Sequence, residues 1–160
     1  MKFRQSVTYP TDVDGVIAMS LDAEFLQSRF AKACAGPLDI EVTGTCVQVR
    51  GEVDPKLIPA AGRALVADRV TFTFKECWTR TEGGAQASTS LVCKGAPVEV
   101  KLESTLADVD EGCVRDARGD FVVKVPFFGS KIEKEAISRA EAVVEAEAGL
   151  AARWLAGLRG

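Results

Sequence analysis

Hydrophobic and polar positions along the chain fall into three regimes. The first opens with Phe3, Val7 and Tyr9 alternating with Lys2, Arg4, Ser6 and Thr8, the period of two of a half-buried strand. Pro10 ends it. Thr11 is placed as an N-cap, with Asp12 and Asp14 in a first helical turn that favours acids. Val13, Val16, Ile17 and Leu21 then share one helical face. Asp22 caps a second helix carrying Phe25, Leu26, Phe30 and Ala33, which Gly36-Pro37 closes.

The second regime begins at Leu38, where the period returns to two. Leu38, Ile40 and Val42 alternate with Asp39, Glu41 and Thr43, Gly44 turns the chain, and Val47, Val49 and Val53 form the next inward face. Asp54-Pro55 and Ile58-Pro59 interrupt the sheet around a short helical stretch, Ala60 to Val66. Strands resume with Phe72, Phe74 and Trp78, then Leu91 and Cys93, then Val98, Val100 and Leu102, separated by turns at Gly83-Gly84 and Gly95-Ala96-Pro97. Asp110-Glu111-Gly112 leads into a last strand predicted from Cys113 to Phe127, with a bulge at Gly119 where Arg118-Gly119-Asp120 bends it. Short turns between successive strands predict an antiparallel meander.

The third regime is one long helix after Phe128-Gly129-Ser130. At about 100° per residue, Ile137, Ala140, Val144, Ala148, Ala151, Leu155 and Leu158 form an apolar stripe, flanked by Ala136, Val143 and Trp154. Glu133 and Glu147 violate the stripe. Period two likewise turns Glu76 and Arg80 to the same side as Phe72, Phe74 and Trp78. Charges in such places are paired, wet, or used to orient a ligand, and the pattern leaves these readings open.

Composition narrows the chemistry. The chain has 160 residues, the length of one domain (1–160), with a formal charge of −3 and no basic cluster, so phosphate-driven nucleic-acid binding is not expected. No segment reaches the roughly 18 apolar residues that span a bilayer, and no signal-peptide core opens the chain, which places it in the cytoplasm. Histidine is absent, which removes Ser-His-Asp and Cys-His catalysis and every His-ligated metal or haem site from this chain alone. Cys34, Cys46, Cys77, Cys93 and Cys113 form no Cys-x-x-Cys pair and read as small packed or inert thiols. No phosphate-binding glycine motif occurs, so no nucleotide, metal or other cofactor is predicted.

The order of elements resembles the START-related, polyketide-cyclase-like helix-grip superfamily, and more narrowly an actinobacterial-type family of unknown function within it. The resemblance rests on Ser20-Leu21-Asp22-Ala23-Glu24-Phe25, Leu57-Ile58-Pro59, Glu76-Cys77-Trp78, the run Lys124 to Glu133, and Arg153-Trp154-Leu155. It implies an α+β helix-grip: a curved antiparallel sheet of about six or seven strands, two short N-terminal helices, and a long C-terminal helix enclosing a cavity. The cavity lining expected from it comprises Phe72, Phe74, Glu76, Trp78, Arg80, Leu91, Val100, Leu102, Phe121, Val123 and Val125 on the sheet. Ile137, Ala140, Val144, Glu147, Ala148 and Ala151 supply the helix side. Phe127-Phe128 is core at the sheet–helix junction or a gate.

The leading functional expectation is non-enzymatic binding or carriage of a hydrophobic small molecule, such as a lipid, fatty acid or polyketide-like compound, by a monomer or homodimer without membrane insertion. A cyclase or dehydratase is the alternative, with Glu76, Glu133 or Glu147 as acid or base and Arg80 stabilising an oxyanion. That chemistry requires a carboxylate and Arg80 to converge. A protein-interaction module without ligand is the third reading.

Overall fold

The computed structural model describes residues 1–58, 60–124 and 129–157. Strand β1 (Lys2–Tyr9) leads into helices α1 (Val13–Ser20) and α2 (Ala23–Ala31). The meander follows as β2 (Asp39–Thr43), β3 (Cys46–Glu52), β4 (Thr71–Thr81), β5 (Gly84–Lys94), β6 (Val98–Val109) and β7 (Gly112–Val123), and α3 (Gly129–Leu155) closes the chain. Two 3-10 turns, Pro55–Leu57 and Ala60–Leu65, fill the β3–β4 connection. The strands form one antiparallel sheet in the order β1-β7-β6-β5-β4-β3-β2. This is the helix-grip arrangement that the sequence pattern predicts.

The local chemistry explains the boundaries. Asp12, not Thr11, caps α1: its side chain accepts from the Gly15 amide at 2.8 Å. Asp22 caps α2 by accepting from the Glu24 and Phe25 amides. Between β4 and β5 the chain reverses in two residues, and Gly83 takes φ +82°, a conformation that disfavours side chains.

Two further expectations are corrected. The register of β7 against β6 and β1 runs unbroken through Gly119, which faces Leu102 on one side and Phe3 on the other, so there is no bulge. Glycine is needed there because a Cβ would lie 1.9 Å from the Lys101 carbonyl oxygen. Cys46 and Cys77 are not isolated thiols. They are direct partners in the β3–β4 register, with Cα atoms 4.1 Å apart, and form a disulfide on the outer face of the sheet. Cys34, Cys93 and Cys113 are free. Burial pushes their thiols above the ordinary value, to about 11 for Cys93, so all three stay protonated at neutral pH.

The core occupies the concave side of the sheet in three groups. α1 packs Val13, Val16 and Ile17 on Trp78, Ala85, Ala87, Leu106 and Cys113. α2 packs Leu26 and Phe30 on Val47, Val49, Phe72 and Phe74. Phe25 and Met19 meet Ala151 and Trp154 of α3, with the Phe25 and Trp154 rings edge to face at 5.6 Å. α3 approaches β7, β1 and α2.

Candidate functional site

Helix α3 is buried near its two ends and not between them. Ile132 is buried at the first turns, and Ala151 and Trp154 at the last. Between them Ile137, Ala140, Val144 and Ala148, spaced to share one face, all remain partly exposed. On the inner face of the sheet, Leu91, Val100, Leu102 and Phe121 are partly exposed as well. Leu91 borders the α2 cluster. Two apolar surfaces thus lie on the concave side without fully burying one another. Val143, predicted as a flank of the stripe, is 52% exposed.

The other residues expected to line the site are placed as follows. Phe72 and Phe74 pack against Phe30, Trp78 sits in the cluster under α1, and Ala151 packs with Met19, Phe25 and Trp154, all in the hydrophobic core. Val123 is buried at the end of β7. Val125, Phe127, Phe128 and Leu158 lie outside the described residues.

The inward charges are all paired. Glu76, fully buried on β4, accepts from Thr89 Oγ1 at 2.7 Å and from Arg115 Nη2 at 3.0 Å. Arg115 also donates from Nε to Ser104 Oγ at 3.1 Å, and its guanidinium lies 5.1 Å from the Trp78 ring centre. The four residues come from β4, β5, β6 and β7, so the network crosses the middle of the sheet. Glu147 accepts from Arg29 Nε at 3.0 Å, and the Arg29 guanidinium stacks near Phe30 and Phe74. Glu133 meets the Met1 ammonium at 3.3 Å and accepts from the Val123 amide. Arg80, at the exposed end of β4, pairs with Asp14 of α1.

This arrangement sets the protonation states. Burial pushes the Glu76 carboxyl up, but Arg115, Arg29 and the Thr89 hydroxyl outweigh it and hold the pKa below the ordinary carboxylate value. Burial opposes the charge of Arg29 and Arg115, yet Glu147 and Glu76 keep both guanidiniums above their ordinary pKa. Burial raises the Tyr9 phenol against the pull of Arg115 and Arg29, so Tyr9 is a neutral hydroxyl beside the network. Glu76 Oε1 and Trp78 Nε1 are buried without a hydrogen-bond partner among the described residues.

The predicted convergence of Glu76, Glu133 or Glu147 with Arg80 is therefore not present. Glu76, Glu133 and Glu147 each engage another cation, and Arg80 sits at a different edge. The residues that do meet, Tyr9, Arg29, Thr89, Ser104 and Arg115, were not among those predicted. Arg115 shares the parity of Cys113 and Phe121, and Arg29 lies one turn from Phe25 and next to Phe30. The same periodicity that turned Glu76 inward would have found both. Among the described residues no group of three or more His, Cys, Asp or Glu side chains is placed to hold a metal ion. A separate cleft of about 360 Å³ opens beside the 3-10 turns, lined by Val53, Ile58, Val66 and Val70 with Lys56 and Arg63 at its rim.

Residues 4–155 match the family described as Protein of unknown function (DUF2505). The chain belongs to this family. None of the curated proteins matches it in sequence. Among solved structures it is similar to TTHA0849 from Thermus thermophilus, at 18% identity and TM-score 0.67, covering 98% of this chain and 99% of that one. A START superfamily protein from Mycobacterium smegmatis is similar at 14% identity and TM-score 0.56, covering 92% and 94%. Norcoclaurine synthase from Thalictrum flavum, solved with dopamine and hydroxybenzaldehyde, is similar at 13% identity and TM-score 0.57, covering 92% and 83%. At these identities the likeness establishes the shared fold. The DUF2505 chain is thus a helix-grip protein, and no helix among its described residues is long and apolar enough to cross a membrane.

Proposed function

We propose that the chain binds or carries a hydrophobic small molecule between α3 and the concave face of the sheet. One observation carries this reading: α3 is anchored at its ends, while the apolar residues along its middle and those across the sheet stay partly exposed. Apolar surface left open on both walls is stabilised by a guest that removes it from water, at about 25 cal/mol per Å². Members of the same fold solved with small molecules, such as norcoclaurine synthase with dopamine and hydroxybenzaldehyde, support a binding role for the space. The lining proposed is Leu91, Val100, Leu102, Phe121, Ile137, Ala140, Val144 and Ala148, with Glu147 at its polar margin.

The test is displacement of an uncharged fluorophore whose emission responds to polarity. Binding by the wild type and at least tenfold weaker binding by Ala140→Trp and Val144→Trp, with the fold intact by circular dichroism, are expected. No binding across a panel of apolar molecules would sink the reading, as would equal binding by the filled variants. The cyclase alternative is not favoured, because Arg80 pairs with Asp14 and none of Glu76, Glu133 and Glu147 reaches it.

A further inference from the structure

The inward charges set the class of guest. We infer that the groove selects an uncharged amphiphile, an apolar molecule bearing a hydroxyl, ketone or ester, and discriminates against a carboxylate. The inference rests on the binding reading above and concerns only which molecules the same space accepts.

The polar margin comprises two guanidiniums and two carboxylates in matched pairs, Arg29 with Glu147 and Arg115 with Glu76, both at 3.0 Å. At the ends of the concave face the Met1 ammonium is matched by Glu133, and Arg80 by Asp14. Tyr9, packed against the clusters around α1 and Trp154, adds a neutral hydroxyl within the influence of Arg29, Arg115 and Glu147. Each of these four cations already has a carboxylate partner. The two central cations, Arg29 and Arg115, are 13% and 11% exposed, and the more exposed of their two carboxylate partners is Glu147, at 27%.

An incoming carboxylate would therefore meet Glu147 first. It would have to displace Glu147 from Arg29 or remain buried without a counter-ion, and burying an unpaired charge costs several kcal/mol. A hydroxyl carries no such penalty. It can donate to Glu147 and accept from Tyr9 without disturbing either pair. Selection of this kind comes from a repulsive element, here a carboxylate already holding the available guanidinium. The same logic names the residue that would reverse it. Glu147→Gln leaves Arg29 uncompensated beside the groove and supplies the cation that a carboxylate needs.

The test compares dodecanol with dodecanoate on the full chain by competition against an uncharged fluorophore. At neutral pH dodecanol is expected to bind at least ~10-fold more tightly, a difference of about 1.4 kcal/mol. Lowering the pH toward the fatty-acid pKa should strengthen dodecanoate binding while leaving dodecanol unchanged. In Glu147→Gln the dodecanoate affinity should rise, so that the preference for dodecanol over dodecanoate falls ~10-fold. If neither molecule nor the fluorophore binds, the binding reading itself has failed. If dodecanoate binds the wild type as well as dodecanol, binding stands and selection by charge is overturned. Should Glu147→Gln fold and keep the wild-type preference, the Arg29–Glu147 pair is not its source and the inference falls. Should it not fold, the wild-type comparison and its pH dependence decide.

Discussion

Glu76 is the residue on which most of the buried polar chemistry turns. Its carboxylate is held by Arg115 and Thr89 in the centre of the sheet, where breaking one side of a buried pair costs more than the pair contributes. Arg115→Met is expected to lower unfolding free energy by about 3–5 kcal/mol, because it leaves Glu76 charged and unpaired. Adding Glu76→Gln to that variant should recover part of the loss. Urea titrations of the two singles and the double give the coupling, and additive losses would show that the contact contributes nothing specific. The pH dependence follows from the sign of the shift. The Glu76 pKa is depressed in the folded protein, so its contribution is complete above the unfolded carboxylate value of about 4.3 and is lost as pH falls through the folded value. Thermal melts should therefore show wild-type stability falling with acid below about pH 4, with a flatter profile in the Glu76→Gln, Arg115→Met protein.

At the scale of elements, the order and type of every strand and helix were legible because the hydrophobic period changes between 2 and 3.6 where strand gives way to helix. What periodicity could not carry was adjacency across the sheet. Cys46 and Cys77 are separated by 31 residues, and only the β3–β4 register makes them neighbours. Gly119 read as a bulge because glycine in a strand signals either a bulge or a close approach. The packing of three strands, invisible in one sequence, decides between them. The charged site residues failed for a related reason: parity gave Glu76 its direction, but its partner lies three strands away in sheet order. Both placements can be tested by substitution. Gly119→Ala should destabilise by about 1–3 kcal/mol or more, since its methyl would collide with the Lys101 carbonyl between paired strands; an unchanged denaturation midpoint would contradict that contact. Reducing the Cys46–Cys77 link should cost up to about 3–4 kcal/mol on the chain-entropy account of a loop this long, read as a lower midpoint with dithiol present that Cys46→Ser, Cys77→Ser reproduces.

At the scale of the whole molecule, the concave side is packed under α1 and α2 and only partly covered along the middle of α3. The clusters under α1 and α2 fill the concave side from β3 to β6 and reach Cys113 at the start of β7, whereas α3 approaches β7 and β1 and, among the described residues, is buried only at Ile132, Ala151 and Trp154. A helix buried near both ends and only partly covered along its middle has its least protected amides in that middle, because local opening there breaks few buried contacts. Hydrogen exchange should accordingly be faster from Glu141 to Ala146 than at Ala151 to Leu155 in the free protein. A guest in the groove would bury Ala140, Val144 and Ala148 and couple the middle to the sheet. Saturation with dodecanol at about 100 times its dissociation constant should then add about 2.7 kcal/mol of stability. For a chain of this size that corresponds to a rise of about 5–10 °C in Tm, with the slowing of exchange concentrated in α3 and in the partly exposed stretches of β5, β6 and β7. Protection spread evenly over the chain, or concentrated at Val53, Ile58 and Val70, would place the guest elsewhere, the latter in the cleft beside the 3-10 turns. The pattern of protection thus separates a grip that closes on its ligand from a fold that is merely stabilised by one.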